Sequence, residues 1–452
     1  MKKYRLRSAF VTILMLLSVV APFPARAIEA IDINAKYAIL VDAAHGEILY
    51  DKNSREQAYP ASITKVMTAL LVIEAIEAGS LSLDTMVTCS DTAWNGLSIY
   101  GSTADIQPGE ALSVEDLLYC LMLPSANEAA NILAEAVSGD VEAFVALMNR
   151  RAGELNCEGT HFSNSHGLHD DDHYTTAYDI ALFFAEAMGH EIFQTIVSTK
   201  VYETAATGRK DPRLYYNTNP LISTWYYTGY YYNKCTGGKT GTTPEAGGCL
   251  VSAAEDKGGY LISVVLGAET VTKEDGTTDR PQYSESQRLF TWGFKNFAER
   301  TISPGDDPVA SITVSLSQEA DQVLVRPDGS ITCVLPVDMS LDAIESEIHL
   351  FSDSVEAPVA AGQLMGTITL SYEGTEYGTL DLVALNDVER SDFLYKKQQI
   401  IDFFQSYGKA LLTLAVAVVI LLTALRIAYV RKQRRRVGAG ARKSSYSSGR
   451  RR

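Results

Sequence analysis

The stretch YPASITKVMTALLVIEAIEAG, residues 59–79, sets a polar Ser-Ile-Thr-Lys at the mouth of an almost wholly apolar segment. From Val66 to Ile76 only Thr68 and Glu74 interrupt the apolar residues, and a helix that is apolar all round belongs in a core. Ser62 and Lys65 are three residues apart, so on a helix they share a face and their hydroxyl and amine can touch. The pair alone says little. An ordinary solvated first turn would use the same residues, and Ser406-Tyr-Gly-Lys409 repeats the pattern beside a long apolar run.

Two further motifs give the pair its company. Ser125-Ala-Asn127 stands at the junction of two helical runs, just after Leu-Pro. Lys239-Thr-Gly241 falls on an expected strand behind Gly237-Gly238. Ser-x-x-Lys, Ser-x-Asn and Lys-Thr-Gly in this order form the set used by serine-acylating enzymes. Each part has a chemical reason. A serine hydroxyl is a poor nucleophile until a base takes its proton. Lys65 serves if its amine is neutral, and desolvation together with a second cation at Lys239 favours that form. The N–H groups of Ser62 and Thr242 are expected to stabilise an oxyanion. Ser125 is expected to pass the proton to a leaving amine and Asn127 to hold a substrate amide. Lys239 and Thr240 offer charge and hydroxyl to a terminal carboxylate. Tyr215-Tyr-Asn217 and Tyr231-Tyr-Asn233 are rival middle motifs, but both crowd just upstream of Lys239.

The ends of the 452-residue chain are distinct from its middle. Residues 1–27 run basic, then apolar, then Ala-Arg-Ala, the pattern of a cleaved export signal. Residues 409–430 are long and apolar enough to cross a bilayer, and the basic residues 431–452 that follow are expected to stay cytoplasmic. Residues 28–408 keep 22 of the 39 basic residues and all 55 acidic ones, a formal charge of −33. Such a surface excludes nucleic acid as a partner. The six cysteines are scattered and read as buried thiols, with Cys235 and Cys249 able to face each other across strands. His161, His166, His169 and His173 cluster beside three aspartates, and although His169 and His173 are four apart, the segment does not read as a helix that would present them on one face, so neither metal nor cofactor is expected.

Strands open the exported part, helices fill its middle, and antiparallel strands with a helix close it. That order implies an α/β domain whose sheet joins distant segments. A Pro/Gly-rich linker, 303–308, leads to alternating segments that read as a small β-domain. The expected organisation is a catalytic domain at 28–302, a β-domain at 303–392, a membrane-proximal linker at 393–408, the span at 409–430 and the tail.

Residues 28–392 resemble a low-molecular-mass penicillin-binding protein of the D-alanyl-D-alanine carboxypeptidase type. The three motifs carry the resemblance, supported by THFSNSHGLHDDDHYTTAYDIAL, GKTGTTPEAGGCLVSAA and APVAAGQLMGTITLSYEGTEYGTLDLVALNDVER. It implies the serine β-lactamase/penicillin-binding-protein-like transpeptidase fold, an antiparallel sheet plus a helical region, followed by an all-β domain. It also implies removal of the terminal D-alanine from peptidoglycan stem pentapeptides through an acyl-enzyme on Ser62, with β-lactams as mimics. Glu128 replaces the family's usual Asp, and Arg280, displaced by a longer loop, takes the place of an Arg that helps bind the terminal carboxylate. A serine β-lactamase is the nearest alternative, but no Glu-x-x-Leu-Asn segment lies between the second and third motifs. A wall-binding scaffold with a dead site would not need the intact motif residues. If Ser62 rather than Ser406 is the nucleophile, Ser62→Ala abolishes labelling by fluorescent penicillin and Ser406→Ala leaves it intact. Equal labelling of both variants and the parent would refute the assignment.

Overall fold

The apolar run after Lys65 forms helix α1 (Lys65–Glu77), preceded by one 3-10 turn, Ala61–Thr64. Lys65 through Ile73 are all buried, so the helix is sheathed on every side, as its composition requires. It ends where Gly79, at φ +76°, takes the left-handed conformation that closes a helix. The computed structural model describes residues 30–443 apart from 275, 303, 306 and 373; the expected export signal and the last residues of the tail lie outside them.

Helices α2 (Val114–Met122), α3 (Asn127–Ser138), α4 (Val141–Glu154), α5 (Ala177–Met188) and α6 (Glu191–Ser198) belong to the same unit as α1. Three of them begin at the caps their sequences announce. Ser113 accepts from Asp116 N, Asp140 from Ala143 N and Thr176 from Asp179 N, each satisfying an otherwise orphaned amide. Strands β1 (Tyr37–Asp42), β2 (Ile48–Lys52), β3 (Cys235–Thr243), β4 (Gly247–Asp256) and β5 (Gly259–Ala268) make a sheet in the order β2-β1-β5-β4-β3. Antiparallel pairing of β1 with β5 brings residues 37–42 against 261–266, so the sheet does combine distant segments. Strand β3 is left at the edge.

One face of this sheet packs on the helices around α1, the other on α7 (Pro281–Asn296). Buried Gly293 lets α7 approach closely, because a Cβ there would stand 2.7 Å from both Leu40 Cδ2 and Leu261 Cδ1. All six cysteines are free. Cys235 sits opposite Ala254 and Cys249 opposite Gly241, so the ladder register keeps the two thiols from facing each other.

The chain divides into two compact units, 1–301 with 332–342, and 302–331 with 343–452. In the second, six strands run in the order Glu345–Leu350, Leu364–Tyr372, Thr375–Ala384, Gln322–Asp328, Ala310–Ser315 and Ser354–Glu356. Ile312, Val323 and Val325 alternate inward to form its core. The membrane-proximal segment and the apolar run form one continuous helix, α8 (Asp392–Lys443), whose stretch Asp392–Arg435 is long and apolar enough to cross a membrane.

The close packing of α7 on the sheet predicts that Gly293→Val overpacks the contact with Leu40 and Leu261. Thermal unfolding of the full chain should show a loss of about 1–3 kcal/mol; an unchanged midpoint would mean that α7 does not pack this closely.

Candidate active site

The 3-10 turn that carries Ser62 is held open by its own backbone. Ala61 adopts φ +47°, a left-handed conformation unusual for a residue with a Cβ. Gly167, at φ +87°, comes so close that a Cβ there would stand 1.9 Å from the Ala61 carbonyl oxygen, so no other residue fits. Thr64 Oγ1 donates to that same carbonyl at 2.8 Å. The edge strand β3 covers the turn from the other side. A Cβ on Gly241 would lie 3.1 Å from Ser62 N and from the Pro60 carbonyl oxygen, so the third motif lies directly against the first.

Lys65 lies at the base of this arrangement with no solvent exposure. Its Nζ is 3.1 Å from Ser62 Oγ, 2.8 Å from Asn127 Oδ1 and 2.6 Å from the His166 carbonyl oxygen. Burial is the main force holding its pKa well below the usual lysine value, and the Lys239 charge acts in the same direction, while Glu128 opposes them. Asn127 Oδ1 and a backbone carbonyl can only accept hydrogen bonds, so once the amine is neutral it donates its two N–H bonds to them and has its lone pair left for Ser62 Oγ–H.

Ser125 occupies the gap between α2 and α3, with φ +66° and 4% exposure. Its Oγ accepts a 2.9 Å bond from Lys239 Nζ, which also donates to the Thr240 carbonyl at 2.9 Å. Desolvation brings Lys239 down to about 7. Thr240 Oγ1 pairs with Thr218 Oγ1 at 2.8 Å, while Thr242 is exposed just beyond. Thr242 and Arg280 line one cavity of about 300 Å³ with Tyr227 and Gln282, and the Arg280 guanidinium lies 4.1 Å over the Tyr227 ring. The displaced arginine thus shares a cavity with the end of β3. Neither rival middle motif joins the cluster. Asn217 is buried and donates to the Val197 and Thr199 carbonyls, and Tyr231 and Asn233 are exposed.

The family profile of D-alanyl-D-alanine carboxypeptidase matches residues 24–270, more than half of the chain. The chain belongs to the D-alanyl-D-alanine carboxypeptidase family. The penicillin-binding protein 5 C-terminal domain matches residues 297–390. The chain is 30% identical over 361 residues to D-alanyl-D-alanine carboxypeptidase DacF of Bacillus subtilis (strain 168), covering 80% of this chain and 87% of that protein. It is 32% identical over 373 residues to D-alanyl-D-alanine carboxypeptidase DacC of Escherichia coli (strain K12), with coverage of 81% and 87%. The crystal structure of penicillin binding protein 5 from Haemophilus influenzae superposes with a TM-score of 0.62 at 27% identity, over 80% of this chain and 100% of that one. The fold is accordingly that of the penicillin-binding proteins and serine β-lactamases, with an all-β C-terminal domain.

In this carboxypeptidase-family chain several supports of the cluster carry no motif. Asn127 N donates to Ser102 O at 3.0 Å, and a Cβ on Gly101 would stand 2.7 Å from Asn127 Nδ2. Glu128 is fully buried, and its Oε1 accepts from Thr103 Oγ1 and Ala104 N, both at 2.7 Å, and from Ile106 N at 3.3 Å. The acid therefore ties down the loop behind Asn127. The histidine-rich segment splits in two. His161 and His169 are exposed, whereas His166 and His173 are buried beneath the Ser62 turn. His173 Nδ1 accepts from Ser163 N at 2.9 Å, which puts its proton on Nε2, 2.8 Å from Thr64 Oγ1. Glu74, Glu186 and His190 converge closely enough to hold a metal. Arg151 already occupies that place, 2.8 Å from Glu74 and 2.6 Å from Glu186.

Burial depresses His166 from 6.5 to about 3 and His173 from 6.5 to about 4. Below pH 6.5 the unfolded state therefore binds more protons than the folded one, and stability falls as pH drops towards about 4. His173→Gln removes one of the two groups. Its thermal midpoint, followed by loss of penicillin labelling, should fall less steeply with acid, by up to about one proton in the slope. A slope identical to that of the parent would contradict a neutral, buried His173.

Proposed function

We propose that the chain is a serine-type D-alanyl-D-alanine carboxypeptidase that removes the terminal D-alanine from peptidoglycan stem pentapeptides and is acylated by β-lactams at the same serine. The observation that carries this reading is the fully buried Lys65 amine, 3.1 Å from Ser62 Oγ. Lys65 takes the hydroxyl proton as Ser62 Oγ bonds to the carbonyl carbon of the penultimate residue. The negative charge on the carbonyl oxygen is stabilised by the N–H groups of Ser62 and Thr242. As the C–N bond breaks, the proton taken by Lys65 passes through the Ser125 hydroxyl, bonded to Lys239, to the leaving amine, and Lys65 is neutral again. Lys239, Thr240 and Arg280 bind the terminal carboxylate, whose charge restores a counter-ion to the desolvated Lys239. Asn127 bridges Lys65 and the substrate amide. Water then attacks the acyl-enzyme, and Lys65 again serves as base.

The localisation follows the same logic. Helix α8 anchors the protein as a single span, with both folded units outside the cytoplasm and the basic tail inside. The peptide substrate of the cell wall lies on that outer side.

Full-length protein in detergent micelles should release one D-alanine per pentapeptide, measured by mass spectrometry of the product. Ser62→Ala and Lys65→Ala should each lower kcat by at least about 1,000-fold, as expected for members of one catalytic unit. No release by the parent, or undiminished release by Ser62→Ala, would refute the reading.

A further inference from the structure

The aromatic segment before the third motif is divided by the fold. Tyr227 and Tyr230 pack on Tyr283, and Tyr232 stacks on Phe290, so these rings belong to the core under α7. Trp225, Tyr226 and Tyr231 turn outward instead, at 61%, 50% and 50% exposure. Trp225 is not loose. It lies parallel to Tyr216 at 3.7 Å with an interplanar angle of 1°, which fixes one face of the indole and leaves the other open. Lys200 Nζ stands 5.3 Å from the centre of the Tyr231 ring.

These side chains border a groove of about 520 Å³ lined by Lys200, Tyr216, Ile222, Ser223, Trp225 and Tyr231, within the range of roughly 300–1,000 Å³ usual for ligand sites. The groove is joined to the third motif through a short rigid stretch. Asn217 N donates to the Lys200 carbonyl at 2.9 Å, and the next residue, Thr218, holds Thr240 at 2.8 Å. Asn217 and Asn219 are both buried. The outward rings thus sit beside the strand to which the proposed function assigns the stem peptide.

We propose that this groove is a saccharide subsite, which binds the N-acetylated glycan strand to which the stem peptide is attached. The inference rests on the peptidoglycan reading of the preceding section and extends it from the peptide to the sugar. A pyranose ring has a flat face of C–H bonds and a rim of hydroxyl and amide groups. Open, rigid aromatic plates match the face, and the Ser223 hydroxyl and the Lys200 ammonium match the rim. A neutral glycan also meets no repulsion from the strongly acidic exported part of the chain. A purely apolar side chain would gain more from a closed pocket than from plates open to water on one side.

The test uses the full chain in detergent micelles and N-acetylglucosamine oligosaccharides, a neutral N-acetylated glycan without peptide. The oligosaccharides are titrated by calorimetry, which does not use Trp225 as a reporter. The parent should bind; Trp225→Ala and Tyr231→Ala should bind at least tenfold more weakly, and Trp225→Phe should recover most of the affinity. Penicillin labelling of each variant reports an intact fold. Failure of the parent to bind, or equal binding by the parent and both alanine variants, overturns the subsite. Release of D-alanine from a free pentapeptide is measured on the same preparation. Its absence would overturn the reaction, while the binding results alone decide the subsite.

Discussion

A lysine amine sealed away from water is the constraint on which the rest of this structure depends. Burying a charged ammonium is costly, and the cost is relieved when the proton is given up. The hydrogen-bond partners pull the other way, since Asn127 Oδ1 and the His166 carbonyl only accept and so favour a proton on the amine. Burial and the Lys239 charge lower its pKa in spite of them. A neutral amine that donates to those two oxygens keeps its lone pair for Ser62 Oγ–H, the proton that the proposed reaction removes.

That arrangement is assembled from four stretches distant in sequence. The 3-10 turn and helix α1 bring Ser62 and Lys65, the α2–α3 junction brings Ser125 and Asn127, the segment around His166 brings a carbonyl, and β3 brings Lys239 and Thr240. Their convergence needs close backbone approach, which is why Gly167 meets the Ser62 turn where a side chain could not fit and Gly241 meets it where a Cβ would be tight. It also stores strain at Ala61 and Ser125, whose left-handed conformations are kept by the packing around them. The aromatic groove is built on the same support, since the residue that holds Thr240 adjoins the one that fixes Lys200.

Much of this was legible in the sequence because side-chain chemistry at fixed spacing leaves a pattern. Ser62, Lys65, Ser125, Asn127, Lys239 and Thr240 could be gathered from three motifs, and the all-round apolarity of 66–76 gave the central helix. The hidden part acts through backbone or through shape. The His166 carbonyl has no residue-type signal, because any residue could present it. The pairing of Ser125 with Lys239 depends on how two chain segments meet, which spacing does not encode. Thr218 and Gly101 matter only for what they touch. The histidine-rich segment looked uniform, yet its members divide by burial into two that support the Ser62 turn and two that face water. Cys235 and Cys249 looked able to face each other until the ladder register set them apart.

The central claim, a neutral Lys65 at working pH, is open to direct measurement. Full-length protein labelled with 13C at the lysine ε-carbon can be titrated by NMR, with the Lys65 signal assigned by its loss in Lys65→Arg. The account predicts an ε-carbon that titrates well below the ordinary value of 10.5, so that the neutral amine is present near pH 7. A Lys65 signal that titrates at 10.5 or above would contradict it.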